Sequence, residues 1–174
     1  MIPLVKTGLP SPQILMPALE EVLYSGYIAQ GSVVDEFEEK FSEYIGNQYC
    51  VSVNSGTAAL HIALILAGVK PGDEVISTAL TAEPTNTVIS QTGATIRWAD
   101  IDPATGNLCP KDVETKINSK TKVIMLVHYA GIPADIEAFQ SIEKRYSIPI
   151  IEDAAHALGA EYNNKKIGNH FKFT

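Results

Sequence analysis

The stretch KVIMLVHYAGIPADIEAFQSIEKRYSIPIIEDAAHALGA, Lys122 to Ala160, holds the pattern that decides the fold. It opens on an apolar, β-rich run, Lys122–His128, and nears its end in a second, Ile148–Glu152. Between them Asp135–Tyr146 begins with an acid and finishes with Lys144 and Arg145. An acid at the N-cap and bases in the last turn mark a helix. Two runs apolar on both faces, joined through a helix, read as parallel neighbours in a sheet covered on both sides. The second run finishes in two adjacent acids, Glu152 and Asp153. A carboxylate at the end of a buried strand is costly unless a cation or several donors meet it, so this strand end is the first place to look for chemistry.

The same alternation extends outward. Further β-rich runs fall at Tyr49–Val53, Glu74–Thr78 and Thr95–Ala99. Helix-length segments lie at Pro12–Ser25, Val33–Ile45, Ala58–Ala67, Pro84–Thr92 and Pro110–Asn118, the last two opening with a proline suited to a first helical turn. KPGDE at Lys70–Glu74 and DPATGN at Asp102–Asn107 are turn chemistry, and YNNKK at Tyr162–Lys166 reads as a hairpin loop. The expected class is α/β, a three-layer α/β/α arrangement with a mostly parallel sheet and no linker or low-complexity segment dividing it. A net charge of −7 without any run of Lys or Arg argues against nucleic acid and anionic membrane as partners. The opening MIPLVKTGLPSP has no apolar core of signal-peptide length, and AALHIALILAGV is too short to span a bilayer, so the cytoplasm is the expected location. Cys50 and Cys109 form no CxxC and the four histidines no HxxxH, so neither a disulfide framework nor a metal site is expected.

In such sheets ligands gather beyond the carboxyl ends of the strands. In VSVNSGTAAL, a run feeds the small-residue turn Asn54-Ser55-Gly56-Thr57 and then a helix. Backbone N–H groups bared at a helix N-terminus favour an anion such as phosphate, and the hydroxyls of Ser55 and Thr57 add donors. Ser55 also suits a plain N-cap. Neither a dinucleotide fingerprint nor a Walker loop is present, which speaks against an unrelated nucleotide-binding domain. At the second strand end, Asp153 suits a protonated ring nitrogen. Pyridoxal phosphate needs such a partner, because its pyridine nitrogen must keep a proton to act as an electron sink. Ala154 and Ala155 are small enough to let a flat ring lie close, and His156 is placed to meet its phenolic oxygen. The bland alternative is that Asp153 caps the following turn while Glu152 faces a lysine or solvent. His128, ending the run MLVH, is either a satisfied structural histidine or a support behind the site.

Taken in order, YIAQGSVVDEFEEKF, VNSGTAALHIALILAGVKPGDEVIST, GATIRWADIDPATGN, TKVIMLVHYAG and IIEDAAHALGAEY resemble the N-terminal half of DegT/DnrJ/EryC1/StrS-type sugar aminotransferases, a branch of the fold type I pyridoxal-phosphate enzymes. The resemblance runs along nearly the whole chain. It implies that residues 1–174 are an N-terminal segment plus most of the cofactor-binding large domain, without the C-terminal small domain. It also implies that Gly56 and Thr57, with Ser55, bind the cofactor phosphate, that Asp153 meets the pyridine nitrogen, and that Ala155 and His156 border the ring. Tyr27, Ile28, Gln30 and Gly31 match the family's substrate-side loop. The implied reaction moves an amino group from an amino acid, glutamate being the expected donor, to a nucleotide-linked keto-sugar for cell-surface polysaccharides or secondary metabolites. The implied assembly is a homodimer with its sites at the subunit interface.

Two departures stand out. Ala82 occupies a position where the family often has an aromatic residue or threonine covering one face of the ring. The family's Schiff-base lysine lies in a segment reading like SFxxxK, expected beyond Thr174. Lys172, between Phe171 and Phe173, is read as a solvent-facing strand position rather than a substitute. No catalytic residue is therefore expected within the chain. Alternatives that remain are a cofactor-binding or dimerisation module without catalysis, and a dehydratase relative on the same fold.

Overall fold

The computed structural model describes residues 8–174, which fall into two compact units, one running through Phe41 and one comprising Ser42–Thr174. The first unit holds helix α1, Pro12–Tyr24, and most of helix α2, Ser32–Ile45. Pro12 sits in the first turn of α1, where its missing N–H is no loss, whereas Pro17 lies inside the helix and removes one backbone bond. No helix among the described residues is long and apolar enough to cross a membrane.

The second unit is built on a sheet of four parallel strands in the order β2-β1-β3-β4, with β1 at Glu74–Ser77, β2 at Thr95–Trp98, β3 at Thr121–Val127 and β4 at Ile150–Asp153. Parallel neighbours need crossovers, and helices α3 (Gly56–Leu66), α4 (Glu83–Gln91), α5 (Pro110–Lys116) and α6 (Ile136–Tyr146) cover the two faces. Strand alternation sorts the core. Val75, Val123, Met125 and Ile151 pack with Leu64 of α3 and Val88 and Ile89 of α4. Ile76, Ile124, Leu126 and Ile150 pack with Val113 of α5 and Ile136, Phe139 and Ile142 of α6. This is the three-layer α/β/α arrangement expected.

Local chemistry sets the boundaries. Asp135 caps α6 by accepting the Ala138 N–H at 3.1 Å, and Lys144 and Arg145 sit at the negative end of the helix dipole. The hairpin of β5, Glu161–Tyr162, and β6, Lys165–Lys166, turns through Asn163 and Asn164 with φ of 50° and 60°, the left-handed pair of a tight hairpin. Strand β4 starts at Ile150, not Ile148, because Pro149 has no N–H to give the ladder.

One expected strand does not form. Tyr49–Val53 has the alternation of a strand, yet it pairs with none of the described strands, and Tyr49 and Val51 are 82% and 80% exposed. A strand exists only through a partner's N–H and C=O groups, which the pattern of its own side chains does not report.

The carboxyl of Glu143 on α6 lies above its ordinary value of 4.5, because burial disfavours its charge and the Glu152 carboxylate repels it, while the Ile150 N–H works the other way. The folded chain thus holds this proton more tightly than the unfolded one, and stability is lost as pH rises from about 4.5 through the raised folded value. Glu143→Gln, which keeps an acceptor for Ile150, is expected to flatten that part of the stability curve and to lie above the parent at neutral pH. Urea titrations at several pH values check this, and parallel curves would count against it.

Candidate functional site

The C-terminal ends of β1, β3 and β4 gather buried polar side chains: Ser77, Thr78, His128, Glu152 and Asp153 lie there, and Thr85 of α4 and Asn107 are the other buried polar groups among the described residues. Glu152 and Asp153 are adjacent, so β4 turns them to opposite faces.

Asp153 follows Ile151 onto the face covered by α3 and α4. Its Oδ2 accepts from the Thr85 hydroxyl at 2.7 Å and its Oδ1 from the Ala155 N–H at 3.2 Å. Thr85, 1% exposed, is in turn hydrogen-bonded to the Thr81 hydroxyl at 2.9 Å. The start of α4 is fixed to β1 through Asn86, which donates to the Thr78 carbonyl at 2.9 Å and accepts from the Ser77 hydroxyl at 2.7 Å. Among the described residues Asp153 makes no ion pair, so two neutral donors hold a carboxylate that is only 9% exposed. Each oxygen keeps a lone pair for a further partner, and a cationic N–H is the partner such a group lacks.

Glu152 is not available for that purpose, nor does it face a lysine or solvent. It is wholly buried on the opposite face, where Oε1 meets His128 Nε2 at 3.0 Å and Oε2 accepts from the Thr174 hydroxyl at 2.7 Å. The Ala134 N–H donates to His128 Nδ1 at 3.1 Å, so Nδ1 carries no proton and Nε2 donates to Glu152. His128 is thus a structural histidine that hydrogen-bonds Glu152.

Helix α3 packs against α4 and β4, on the Asp153 face. Ser55 is its N-cap, the hydroxyl accepting the Ala58 N–H at 3.2 Å, which leaves the hydroxyl proton free to donate outward. The N–H groups of Gly56 and Thr57 lie in the first helical turn, where no preceding carbonyl is in register to take them. Nothing lies within 4 Å of where a Cβ on Gly56 would stand, so the approach is open. An anion bound there would need no side chain of opposite charge.

Ala82 is the exposed N-cap residue of α4, without a side-chain cap bond. Ala155 and His156 are exposed in the turn after Asp153. Tyr27, Ile28, Gln30 and Gly31 line a cavity of about 190 Å³ within the first unit, together with Val33 and Val34. Lys172 is exposed, its Nζ 5.2 Å from the Phe173 ring centre. The chain bends at Phe171 and Lys172, so Phe171 enters one core cluster and Phe173 packs against the other. The sequence reading missed Thr85 and Thr81. Thr85 lies in the first turn of α4 and Thr81 just before its N-cap, a pairing that acquires meaning only when Asp153 is opposite.

The model of the DegT/DnrJ/EryC1/StrS aminotransferase family matches residues 13–174. Among solved structures, a sugar aminotransferase from Micromonospora echinospora is 38% identical, with a TM-score of 0.92, over 98% of this chain and 47% of its own. An aminotransferase from Psychrobacter cryohalolentis is 34% identical, with a TM-score of 0.86, over 93% of this chain and 42% of its own. The Bacillus subtilis protein NtdA, solved with bound PMP cofactor, is 32% identical, with a TM-score of 0.83, over 87% of this chain and 35% of its own. The chain therefore spans less than half the length of these relatives.

Thr85→Val removes one of two donors from a buried carboxylate at nearly constant volume. It is expected to lower stability by about 1–3 kcal/mol in urea unfolding at neutral pH, whereas Thr85→Ser, which keeps the hydroxyl, loses much less. Equal losses in the two variants would show that the hydrogen bond to Asp153 is not the cause.

Proposed function

This chain belongs to the DegT/DnrJ/EryC1/StrS aminotransferase family, and on that footing we propose that it forms the phosphate-binding and ring-nitrogen-binding part of a pyridoxal-phosphate site in a sugar aminotransferase. The observation that carries the reading is the Asp153 carboxylate, buried, met by two neutral donors and by no cation among the described residues, on the same sheet face as an open helix N-terminus. That donor set fits a flat cofactor with a phosphate at one end and a basic ring nitrogen at the other. The bound PMP of the Bacillus subtilis relative supports the same cofactor.

The Gly56 and Thr57 N–H groups and the Ser55 hydroxyl would bind the phosphate, the helix dipole favouring its negative charge. Asp153, oriented by Thr85 and the Ala155 N–H, would accept a hydrogen bond from the ring nitrogen and keep that nitrogen protonated. When bound, pyridoxal phosphate supplies an electron sink for chemistry at an amino-bearing carbon. Ala155 leaves room for a ring to lie close, and His156 would meet the ring's oxygen side. Ala82 offers only a methyl to the ring face, so stacking contributes little there. The apolar and amide groups of Tyr27, Ile28, Gln30 and Gly31 would receive the sugar. Glutamate as amino donor, a nucleotide-linked keto-sugar as acceptor, a homodimeric parent and a cytoplasmic setting complete the proposal. So does the division of residues 1–174 into an N-terminal segment and most of a large domain. Among the described residues Lys172, exposed beside Phe173, is not offered as the amine that takes up and releases a proton at the reacting carbon, and the 174-residue chain alone is expected not to transaminate.

Titration of the 174-residue chain with pyridoxamine 5′-phosphate, followed by calorimetry, tests the assignment. Saturable binding that competes with inorganic phosphate and weakens about tenfold or more in Asp153→Asn is expected. Binding unchanged by that substitution, or absent from a folded sample, would remove Asp153 from the role.

A further inference from the structure

Two buried polar side chains outside the proposed ring contacts converge on the loop that leaves β3, and a third, Glu152, holds one of them. Asn107, 4% exposed, is presented by the tight turn closed by Asp102 N–H donating to the Asn107 carbonyl at 2.8 Å. Its Oδ1 accepts from the Tyr129 N–H at 2.8 Å, and its Nδ2 donates to the carbonyls of Ile132 at 3.0 Å and Pro133 at 3.3 Å. His128 accepts the Ala134 N–H through Nδ1 and is anchored across the strands by Glu152. Tyr129, Ile132, Pro133 and Ala134 are thus tied through backbone groups to the side chain of Asn107 or His128, and the Gly131 N–H donates to the His128 carbonyl at 3.2 Å.

Two residues of this loop have left-handed backbone: Ala130 at φ 52° and Gly131 at φ 82°. A side-chain-bearing residue keeps such a conformation only where its surroundings hold it. The loop also presses on both neighbours. A Cβ on Gly106 would stand 2.8 Å from the Tyr129 ring, and a Cβ on Gly131 would stand 2.8 Å from the His156 carbonyl oxygen. The second contact joins the loop to the turn that follows Asp153.

We propose that Asn107, with the His128–Glu152 pair, is a positioning residue that sets the place of the Ala155–His156 turn through the Tyr129–Ala134 loop. The chain of contact runs from Asn107 to the loop backbone, from Gly131 to the His156 carbonyl, and from that turn to Asp153, whose Oδ1 the Ala155 N–H holds. Glu152 then has a use on its own face: its bond to His128 fastens the end of β3 to the end of β4 beside the turn. What the turn is placed for rests on the cofactor reading above, but the mechanical coupling does not.

Amide hydrogen exchange on the full 174-residue chain, parent against Asn107→Ala, tests the coupling without cofactor. The expected result is exchange about tenfold or more faster at Tyr129–Ala134 and also at Ala155–Ala157, with β1 and α3 unchanged. Acceleration confined to the loop, or spread evenly over every element, overturns the proposal, the latter because it marks a residue that merely supports the fold. If Asn107→Ala does not fold, Asn107→Asp carries the same test, since it keeps the acceptor for the Tyr129 N–H and drops the donor to the Ile132 and Pro133 carbonyls; the same three outcomes decide. Repeating the measurement with pyridoxamine 5′-phosphate separates the two readings. Protection gained at Gly56, Thr57 and Ala155 belongs to the cofactor assignment, and its absence counts against that assignment while the variant's pattern still decides the coupling.

Discussion

A strand turns neighbouring side chains to opposite faces, and at the end of β4 that constraint acts on two carboxylates. Glu152 and Asp153 share a backbone position at the sheet edge and almost nothing else. Neither can be left in an apolar layer without donors, so each face must supply its own. One face supplies a histidine ring and a threonine hydroxyl, the other a threonine hydroxyl and a backbone N–H. Glu152 is thereby closed off within the chain, whereas Asp153, with α3 and its open N-terminus on the same face, is left as the group with capacity for a cation.

Much of this was legible beforehand. The β3–α6–β4 stretch announced itself through a capping acid, a basic helix end and two runs apolar on both faces, and the structure places all three elements within two residues of expectation. The hairpin was legible because consecutive asparagines tolerate left-handed backbone. Other features depend on partners that are distant in sequence. Tyr49–Val53 looks like a strand from its side chains, but pairing is a property of two segments. For Glu152 the sequence offers only a lysine or solvent as partner. The alternation that separates it from Asp153 was already implicit in the strand, yet the partner that claims Glu152 lies 24 residues away at His128. Thr85 is 68 residues from Asp153 and carries no motif of its own.

The site is accordingly layered. Asp153 and the α3 N-terminus are the groups that would meet a ligand. Behind Asp153, Thr85 is held by α4, which Asn86 fastens to β1. Beside it, the turn through His156 leans on a loop whose conformation two other strand ends impose. Precision at one carboxylate is thus spread over side chains from four strand-end segments, a common outcome where a rigid sheet positions chemistry on its loops.

A crystal structure of the chain with pyridoxamine 5′-phosphate addresses the division of labour between the two acids most directly. The expected result is the phosphate at the N–H groups of Gly56 and Thr57, the ring nitrogen within hydrogen-bond reach of Asp153, and Glu152 still bonded to His128. A ligand seated elsewhere, or Asp153 turned from the ring while Glu152 approaches it, would contradict the assignment.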